Sequence, residues 1–365
     1  METISFARGI PAPELLPVSE LADCARAVAE KEGASVFAYG PSGGYGPLRE
    51  WIASRHGVEP GRVVLTIGGL LGFVLFIGDA LERRPGRVLV EGPTYDRPLK
   101  LLAELGADVR GIPLDEDGLD LAALSGELRA GRASFLYTIP TFQNPTGRTL
   151  TVERRRRLVE IAREHELLIV EDDPYGLVRF EGEPPPTLFE LAGGDGVVYG
   201  SSFSKTIAPG ARVGYLVLPE RRAQAVTSSA TATYITPSLV GEAAVYEFLR
   251  RGLLEANLDR VCDGLRTRRD AMLAALEREL GLSGRWSRPE GGYFLWLELA
   301  DEIDTRDLLQ RAEASGVTFV PGADFGGPPN SARLAFSFVD AAAIAEGVSR
   351  LASLVPAAAT VQLAQ

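Results

Sequence analysis

Lysine is rare in this chain, and one lysine occupies an unusual place. Of the 38 basic residues only three are lysine, at Lys31, Lys100 and Lys205. Lys31 and Lys100 stand in helical patterns among polar residues, where a solvated side chain is expected. Lys205 instead follows the apolar run VVYGSS, within SSFSKTIAPGARVGY, between a hydroxyl-rich turn and a glycine-rich turn. A lysine amine whose pKa is lowered by its surroundings can form a Schiff base with an aldehyde.

The residues near Lys205 in sequence are those that an aldehyde carrying a phosphate group would need. Ser202 and Ser204 offer hydroxyl donors, and Arg212 offers a planar guanidinium that suits phosphate. Pyridoxal phosphate fits this description, because it presents an aldehyde and a phosphate on one small molecule. Taken alone, a lysine after serines is more often a solvated loop residue, so this interpretation depends on the rest of the chain.

A second polar group follows an apolar strand in the segment LLIVEDDPYG. Asp172 and Tyr175 come just after the end of that strand, where the sites of parallel sheets collect. A carboxylate there can keep a pyridine nitrogen protonated, which makes the cofactor an electron sink. The alternative is that Asp172 is an ordinary turn residue beside Asp173 and Pro174.

Composition and charge exclude several classes of function. The chain has 365 residues, is 45% hydrophobic and 24% charged, and carries a formal net charge of −11, which gives no general attraction for nucleic acid or anionic lipid. Its cysteines and histidines lack disulfide, metal-site or Ser-His-Asp spacing; they are Cys24, Cys262, His56 and His165. We therefore expect no metal, no nucleic-acid partner and no membrane span. The start of the chain lacks a signal-peptide pattern, and a reducing cytoplasm is the expected location.

Hydrophobic patterning predicts the elements that position these residues. Seven short β-branched runs alternate mostly with helical patterns, which is typical of a mainly parallel seven-stranded sheet flanked by helices. The predicted strands are Arg62–Ile67, Arg87–Glu91, Asp108–Ile112, Ser134–Thr138, Leu167–Glu171, Val197–Ser201 and Gly214–Leu218. The class predicted for the chain is α/β.

The pattern changes after about residue 235. Two long helical stretches, Pro237–Arg251 and Leu253–Leu280, precede predicted strands at Gly291–Leu299 and Ala332–Phe338. A final helix would place Ile344, Val348, Leu351 and Leu354 on one face. This segment predicts a smaller α+β domain. We expect residues 1–35 to join it, residues 36–250 to form the large cofactor-binding domain, and residues 251–365 to form the small one.

Motifs along nearly the whole chain resemble those of the pyridoxal-phosphate-dependent class I/II aminotransferases of fold type I, in particular the 2-aminoadipate/kynurenine aminotransferase-like group. In chain order the motifs are SFARGIP, GGYGPLREWIA, TIGG, EGPTY, PTFQNPTG, VEDDPYG, SSFSKTIAPGARVGY, PEGGYFLW, VPGADF and ARLAFSF. One such motif is weak evidence, whereas ten in order are strong.

The resemblance implies a role for each residue that would contact the reacting part of the cofactor. Lys205 is implied to hold the aldehyde and to carry the proton between the substrate α-carbon and the cofactor. Asp172 is implied to pair with the pyridine nitrogen. Asn144 and Tyr175 are implied to donate to the phenolic oxygen, and Tyr95 of EGPTY to stack on the ring.

Other implied roles concern the phosphate, the substrate and the subunits. The phosphate-binding groups are implied to be Ser202, Ser204, Arg212 and the backbone amides of Gly69 and Leu70. Arg333 is implied to bind the substrate α-carboxylate, with Asn144 beside it. Tyr39 is implied to reach the phosphate of a neighbouring subunit, which makes the expected assembly a homodimer with shared active sites. For Arg8, contact with the distal group of a substrate and contact with water are equally expected.

Several of these residues have a plainer interpretation. Asn144 could be a turn former, and both roles are retained for it. By default Arg333, one of 35 arginines, would be a surface ion-pair partner, but it begins an apolar strand. Tyr39 and Tyr95 could be packing residues. Gly69 could mark only a tight turn.

The chain departs from the family pattern at two places. After the turn glycine, where the family usually has serine and glutamine, it has Gly69 and Leu70, so that only backbone donors face the phosphate. Near the carboxylate-binding arginine, Ala335 replaces a polar side chain. These differences leave the substrate undetermined.

The expected activity is transfer of an amino group between an L-amino acid and a 2-oxo acid by a ping-pong mechanism. An alternative is different pyridoxal phosphate chemistry, such as elimination, oxidation or cyclisation of an amino acid. A regulator with an aminotransferase-like domain behind a winged helix is a third possibility. Seventeen residues precede VSELADCARAVAE, so we expect no winged helix here.

Overall fold

The fold was analysed in a computed structural model that describes residues 3–356. Its strands, numbered in chain order, are β1 Ile4–Ser5, β2 Val63–Thr66, β3 Arg87–Gly92, β4 Val109–Asp115, β5 Gly118–Leu119, β6 Ala133–Thr138, β7 Leu168–Asp172, β8 Val197–Ser202, β9 Gly214–Val217, β10 Gly284–Trp286, β11 Phe294–Leu299, β12 Val317–Thr318, β13 Val320–Pro321 and β14 Ser331–Ala335.

The helices surround these strands. They are α1 Val18–Glu32, α2 Gly46–His56, α3 Gly69–Arg83, α4 Asp96–Glu104, α5 Leu121–Ala130, α6 Val152–Glu164, α7 Leu188–Ala192, α8 Glu220–Tyr234, α9 Leu239–Arg250, α10 Leu253–Glu279, α11 Thr305–Ala314 and α12 Ala341–Ala352. Among the described residues, no helix is both long and apolar enough to cross a membrane.

The large sheet contains all seven predicted strands. Its order is β2-β9-β8-β7-β6-β3-β4-β5, and the pairs from β8 through β4 are parallel. Strand β9 runs antiparallel to both of its neighbours. The eighth strand, β5, is a two-residue addition that pairs antiparallel with the end of β4. The carboxyl ends of β3, β6, β7 and β8 therefore meet at one edge of the sheet.

Side-chain caps fix where several helices begin. Thr151 accepts a hydrogen bond from the Arg154 amide at the start of α6. Thr187 and Glu190 form a reciprocal capping box at the start of α7. Such caps satisfy amides that have no partner within the helix, and each contributes about 1 kcal/mol. The helices beside the sheet thus start at positions defined by local sequence.

Helices cover both faces of the large sheet. One face packs α3 through Phe73 and Phe76 onto Phe135 and Tyr137 of β6. The other face packs residues such as Leu136 and Ile169 into a second apolar cluster with helices α2 and α6. Burial on both sides explains why the central strands β6, β7 and β8 are apolar along most of their length.

A smaller antiparallel sheet follows, in the order β10-β11-β14-β13. Helices α10 and α12 pack against each other beside it, and Ile344, Val348 and Leu351 of α12 are buried as predicted. Leu354 lies beyond the end of α12. At the other end of the chain, β1 pairs in parallel with β12, which brings the N-terminal segment to this part of the molecule.

Candidate active site

The candidate site lies where the carboxyl edge of the large sheet faces strand β14 of the smaller sheet. Asp172 ends β7 and Ser202 ends β8, while the loop after β6 carries Asn144. Arg333 enters from the middle of β14, where it pairs with Trp296 of β11. Residues far apart in sequence therefore converge because strand ends from two sheets meet.

Lys205 lies in the loop after β8, with its amine turned into the site. Its Nζ donates a hydrogen bond to the Gly9 carbonyl oxygen at 2.6 Å. The same nitrogen is 5.2 Å from the ring centroid of Tyr293 and 6.0 Å from that of Tyr175. Burial, reinforced by the positive charge of Arg333, lowers the pKa of Lys205 to about 8. The amine is therefore far more nucleophilic near neutral pH than an exposed lysine.

Asp172 shares its carboxylate with a buried tyrosine. The Tyr137 hydroxyl donates to Asp172 Oδ2 at 2.6 Å, and Tyr137 is fully buried in strand β6. Burial raises the pKa of Asp172 to about 6, the Tyr137 hydrogen bond acts in the opposite direction, and the charge of Asp173 adds to the rise. Asp172 is thus mainly ionised at neutral pH.

Two tyrosines border the space between Lys205 and Asp172. Tyr175 is buried, and its ring packs 5.7 Å from the ring of Tyr293 and 5.8 Å from that of Phe294. Tyr95 precedes the first residue of α4 and is partly buried. Burial raises the pKa of both Tyr95 and Tyr175, so both phenols remain protonated donors.

Hydroxyls, a guanidinium and a helix N-terminus form a third part of the site. Ser202 Oγ donates to Ser204 Oγ at 2.7 Å, and Arg212 Nη2 donates to the Ile67 carbonyl at 2.9 Å. Gly69 opens α3, whose first amides have no partner within the helix. A leucine side chain carries no hydrogen-bond donor, so Leu70 offers only its backbone amide. A phosphate fits such a cluster.

Arg333 and Asn144 contact each other directly. Arg333 Nη1 donates to Asn144 Oδ1 at 3.0 Å, and Nη2 donates to the Ala7 carbonyl at 2.9 Å. Its guanidinium lies 4.2 Å from the ring centroid of Phe294 and 4.8 Å from that of Phe325. Burial lowers the pKa of Arg333 to about 10, which leaves it charged at neutral pH. Its buried Nε has no hydrogen-bond partner in the described part of the chain.

Tyr39 and Arg8 have exposed side chains. Tyr39 is 81% exposed. Arg8 is exposed, with its guanidinium 5.0 Å from the ring centroid of Phe338. Most of the Tyr39 side chain is therefore not covered by its own chain.

The structure adds residues that the sequence analysis did not single out. Tyr137 contacts Asp172, and Tyr293 donates from its hydroxyl to the Lys205 carbonyl at 2.9 Å. The carbonyls of Ala7 and Gly9 accept from Arg333 and Lys205. A tyrosine in an apolar strand looks like a core residue, and a backbone carbonyl leaves no signal in side-chain type, so only the fold reveals these contacts.

The donor set matches the functional groups of pyridoxal phosphate. Lys205 offers an amine for the aldehyde, Asp172 a carboxylate for the pyridine nitrogen, and Ser202 and Arg212 donors for the phosphate. Among the described residues, no group of three or more histidine, cysteine, aspartate or glutamate side chains is placed to hold a metal ion. The sheet order and this site together define a pyridoxal-phosphate-dependent enzyme of fold type I.

Comparison with known proteins gives the family. Residues 13–351 match the aminotransferase class I and II family, and the chain belongs to that family. It is 39% identical to the 2-aminoadipate transaminase of Thermus thermophilus, over 95% of this chain and 89% of that protein. It is 33% identical to aromatic-amino-acid aminotransferase 1 of Thermococcus litoralis, over 97% of this chain and 88% of that protein.

A solved structure agrees with this assignment. The alpha-aminoadipate aminotransferase of Thermus thermophilus, complexed with N-(5'-phosphopyridoxyl)-L-leucine, superposes with a TM-score of 0.89 and 37% identity. The match covers 97% of this chain and 92% of that one. The chain is accordingly a pyridoxal-phosphate-dependent aminotransferase that transfers amino groups.

Proposed function

We propose that this aminotransferase uses Lys205 as the group that binds the cofactor aldehyde and moves the proton at the substrate α-carbon. The observation that carries the proposal is the buried amine with its lowered pKa, held beside Tyr175 and Tyr293 and facing the charge of Arg333. A neutral amine in that place can take a proton from carbon and return it. The two half-reactions of a ping-pong cycle would use it in the same way.

The other central residues would orient the cofactor. When bound, pyridoxal phosphate withdraws electrons from the substrate α-carbon. Asp172 would keep the pyridine nitrogen protonated, and Asn144 and Tyr175 would donate to the phenolic oxygen. Tyr95 would pack against the ring. The burial of Asn144 and Tyr175 supports these roles, because hydrogen bonds in an enclosed site are stronger and better aligned than in water.

The phosphate would be held at the opposite end of the cofactor. Ser202, Ser204 and Arg212 would donate to it, together with the backbone amides of Gly69 and Leu70 at the start of α3. The helix dipole adds to their attraction for a dianion.

Arg333 would bind the α-carboxylate of the substrate, assisted by Asn144. Its guanidinium is buried against Phe294 and Phe325 and still has an unpaired Nε. A planar guanidinium pairs with a carboxylate through two parallel hydrogen bonds, which fixes the α-carbon relative to Lys205.

Arg8 is our candidate for contact with the distal end of the substrate. It stands between Ala7 and Gly9, whose carbonyls accept hydrogen bonds from Arg333 and Lys205, so its backbone is part of the site wall. Its guanidinium is exposed over Phe338 and would pair with an acidic substrate such as 2-aminoadipate. Arg8→Ala should raise KM for 2-aminoadipate and leave KM for phenylalanine unchanged. Equal changes for both donors would exclude this role.

We also propose a homodimer in which Tyr39 completes the phosphate site of the partner subunit. Its exposed side chain supports this, since an exposed tyrosine is available to a second copy. A cytoplasmic location and a role in amino-acid biosynthesis are proposed with it.

The division into residues 1–35, 36–250 and 251–365 remains a proposal. The pairing of β1 with β12 supports the first boundary, although helix α1 packs against α9. Residues 1–2 and 357–365 lie outside the described part of the chain.

The test is a visible absorption titration of the purified holoenzyme with single amino acids and no 2-oxo acid. A donor should convert the bound cofactor to its amino form once per active site and stop. Adding a 2-oxo acid should restore the starting spectrum. Continuous release of ammonia or uptake of oxygen without an amino acceptor would instead indicate elimination or oxidation.

A further inference from the structure

Two consecutive aspartates at the end of strand β7, Asp172 within the strand and Asp173 just after it, face opposite sides of the large sheet. Asp172 accepts from Tyr137 of strand β6 at 2.6 Å, and Asp173 accepts from Tyr199 of strand β8 at 2.9 Å. In the parallel pairing Tyr137 lies opposite Val170, whereas Tyr199 lies opposite Glu171. Since side chains alternate along a strand, each tyrosine shares a face with its own aspartate.

The two aspartates have different surroundings. Asp173 also accepts from the Gly176 amide at 2.9 Å and so stabilises the turn after β7. Asp172 accepts one hydrogen bond within the described residues, from Tyr137 to Oδ2. Its other oxygen therefore remains available to a ligand on the cofactor side. Tyr137 is held in place by burial and by the ring of Phe73, 5.0 Å away.

The ionisable groups that face Asp172 are acids. They come from β3, from the start of α4, from β6 and from the segment after β7, and they are Glu91, Tyr95, Tyr137, Asp173 and Tyr175. Burial and the charge of Asp173 favour the neutral carboxyl, while the Tyr137 hydrogen bond favours the ionised one. The phenol is thus the protein group that opposes protonation of Asp172.

We propose that Tyr137 is a positioning residue of the amino-transfer reaction: its hydroxyl holds Asp172 Oδ2, keeps the carboxylate ionised and leaves Oδ1 directed at the pyridine nitrogen of the cofactor. This inference rests on the proposed role of Asp172. Without the hydroxyl, the carboxylate loses its donor in an apolar environment and takes up a proton at higher pH. A neutral, freely rotating carboxyl group no longer stabilises the protonated pyridine nitrogen.

The experiment compares four holoenzymes carrying pyridine-¹⁵N-labelled pyridoxal phosphate: the wild type, Tyr137→Phe, Tyr199→Phe and Asp172→Asn. The ¹⁵N chemical shift reports protonation of the ring nitrogen directly, without turnover. Tyr199→Phe is the matched control, since it also removes one buried hydroxyl from one aspartate of β7. Thermal unfolding of the two tyrosine variants shows whether their stability losses are comparable.

The wild type and Tyr199→Phe should keep the ring nitrogen protonated from about pH 6 to 9, and Asp172→Asn should hold it neutral in that range. In Tyr137→Phe the ring nitrogen should lose its proton within this range. The pH at which it does so should be at least about one unit lower than in the wild type, which is a tenfold change in proton affinity. The kcat of this variant should fall about tenfold, with KM for the amino acid nearly unchanged, because the substrate contacts remain.

The outcomes separate the two proposals. If the ¹⁵N chemical shift in Tyr137→Phe equals that of the wild type while the shift in Asp172→Asn differs from it, the role of Tyr137 is overturned and that of Asp172 stands. A wild-type shift in Asp172→Asn would overturn both. An equal displacement in Tyr137→Phe and Tyr199→Phe would show a general effect of losing a buried hydroxyl, and would also overturn the role of Tyr137.

Discussion

Arg333 and Asn144 are joined by a 3.0 Å hydrogen bond across 189 positions of the chain. The bond links strand β14 of the small sheet to the loop after β6 of the large sheet. Asn144 is proposed to contact the cofactor and Arg333 the substrate. The hydrogen bond between them therefore fixes the position of the substrate-binding guanidinium relative to the cofactor-binding amide.

Replacing Arg333 should therefore affect substrate binding most strongly. Arg333→Lys keeps the charge but loses the planar pair of donors, and KM for every amino donor should rise about 10- to 100-fold. Steady-state kinetics with an acidic and an aromatic donor measures this. The increase should be similar for both, since the α-carboxylate is common to them. An increase confined to one donor would place Arg333 at the distal end of the substrate.

Lys205→Ala should abolish turnover and leave the fold intact. The loss should be at least about a thousandfold, because no other lysine reaches the site. Single-turnover kinetics and circular dichroism provide the two measurements. Lys100→Ala is the control. Lys100 is exposed and pairs with Asp96 on the surface of α4, so its removal should change neither the turnover nor the circular dichroism spectrum. Residual wild-type turnover in Lys205→Ala would exclude the proposed role.

Capture of the cofactor by the cofactor-free protein should depend on pH through Lys205. The fold lowers the pKa of this amine from 10.5 to about 8, and only the neutral amine attacks an aldehyde. The rate of capture should rise about tenfold per pH unit below pH 8 and level off above it. Stopped-flow absorbance follows the reaction. In Arg333→Gln, which removes a neighbouring positive charge, the midpoint should move to higher pH. A wild-type rate that still rises beyond pH 9 would contradict the lowered pKa.

Gly69→Ser should tighten binding of the cofactor. A Cβ at this position would lie 3.7 Å from Ser201 O and 3.7 Å from Ser202 Cβ, which is ordinary contact, and the hydroxyl would face the phosphate-binding group. One added hydrogen bond to a charged group stabilises binding by about 1.5 kcal/mol, or roughly tenfold in Kd. Equilibrium dialysis against pyridoxal phosphate measures the change.

Gly68→Ser is the comparison for that variant. Gly68 has φ 83° and a Cβ there would collide with the Arg212 guanidinium. This substitution should weaken cofactor binding and lower Tm, because it strains the backbone and displaces a phosphate donor. If both serine variants weaken binding equally, Gly69 does not face the phosphate.

Mixed subunits should reveal whether the active sites are shared. Tyr39→Ala and Lys205→Ala are each expected to be impaired alone. In a hybrid dimer, one site would carry both defects and the other neither, so random mixing should restore about a quarter of wild-type activity. Activity after co-refolding is the measurement, and co-refolding of Lys205→Ala with itself is the control. Failure of the first mixture to regain activity would show that Tyr39 serves its own subunit.

Much of the fold could be predicted from the sequence because its strands are strongly patterned. All seven predicted strands of the large sheet are present. Burial on both faces makes the central strands β6, β7 and β8 nearly continuous apolar runs, whereas β4 is largely exposed. Strand β5 was not predicted because its two residues pair only through the end of β4, and two residues carry no periodicity. The antiparallel direction of β9 was not predicted either, because the hydrophobic pattern of a strand does not show whether it runs parallel or antiparallel to its neighbours.

The site was less predictable than the fold. Lys205, Asp172 and Arg333 stood out through residue type and position beside strands. Their hydrogen-bond partners, such as Tyr137 and the Gly9 carbonyl, could not be recognised in the sequence. These partners act through contacts between segments that are distant along the chain. In the sequence, Tyr137 looks like a core residue of a strand, and Gly9 looks like a residue of an ordinary loop.

If Asp172 has its proposed role, the end of β7 makes correct folding of one strand a condition for activity. Three acidic residues follow one another there, Glu171, Asp172 and Asp173, and each has its own partner: the amides opening α7, Tyr137 and Tyr199. A slip of one residue in strand pairing would turn each acid to the wrong face. Such a molecule could remain compact and contain every required side chain, yet be inert. The expected product of such an error in strand registration is material that is folded by size and helicity but fails to take up the cofactor.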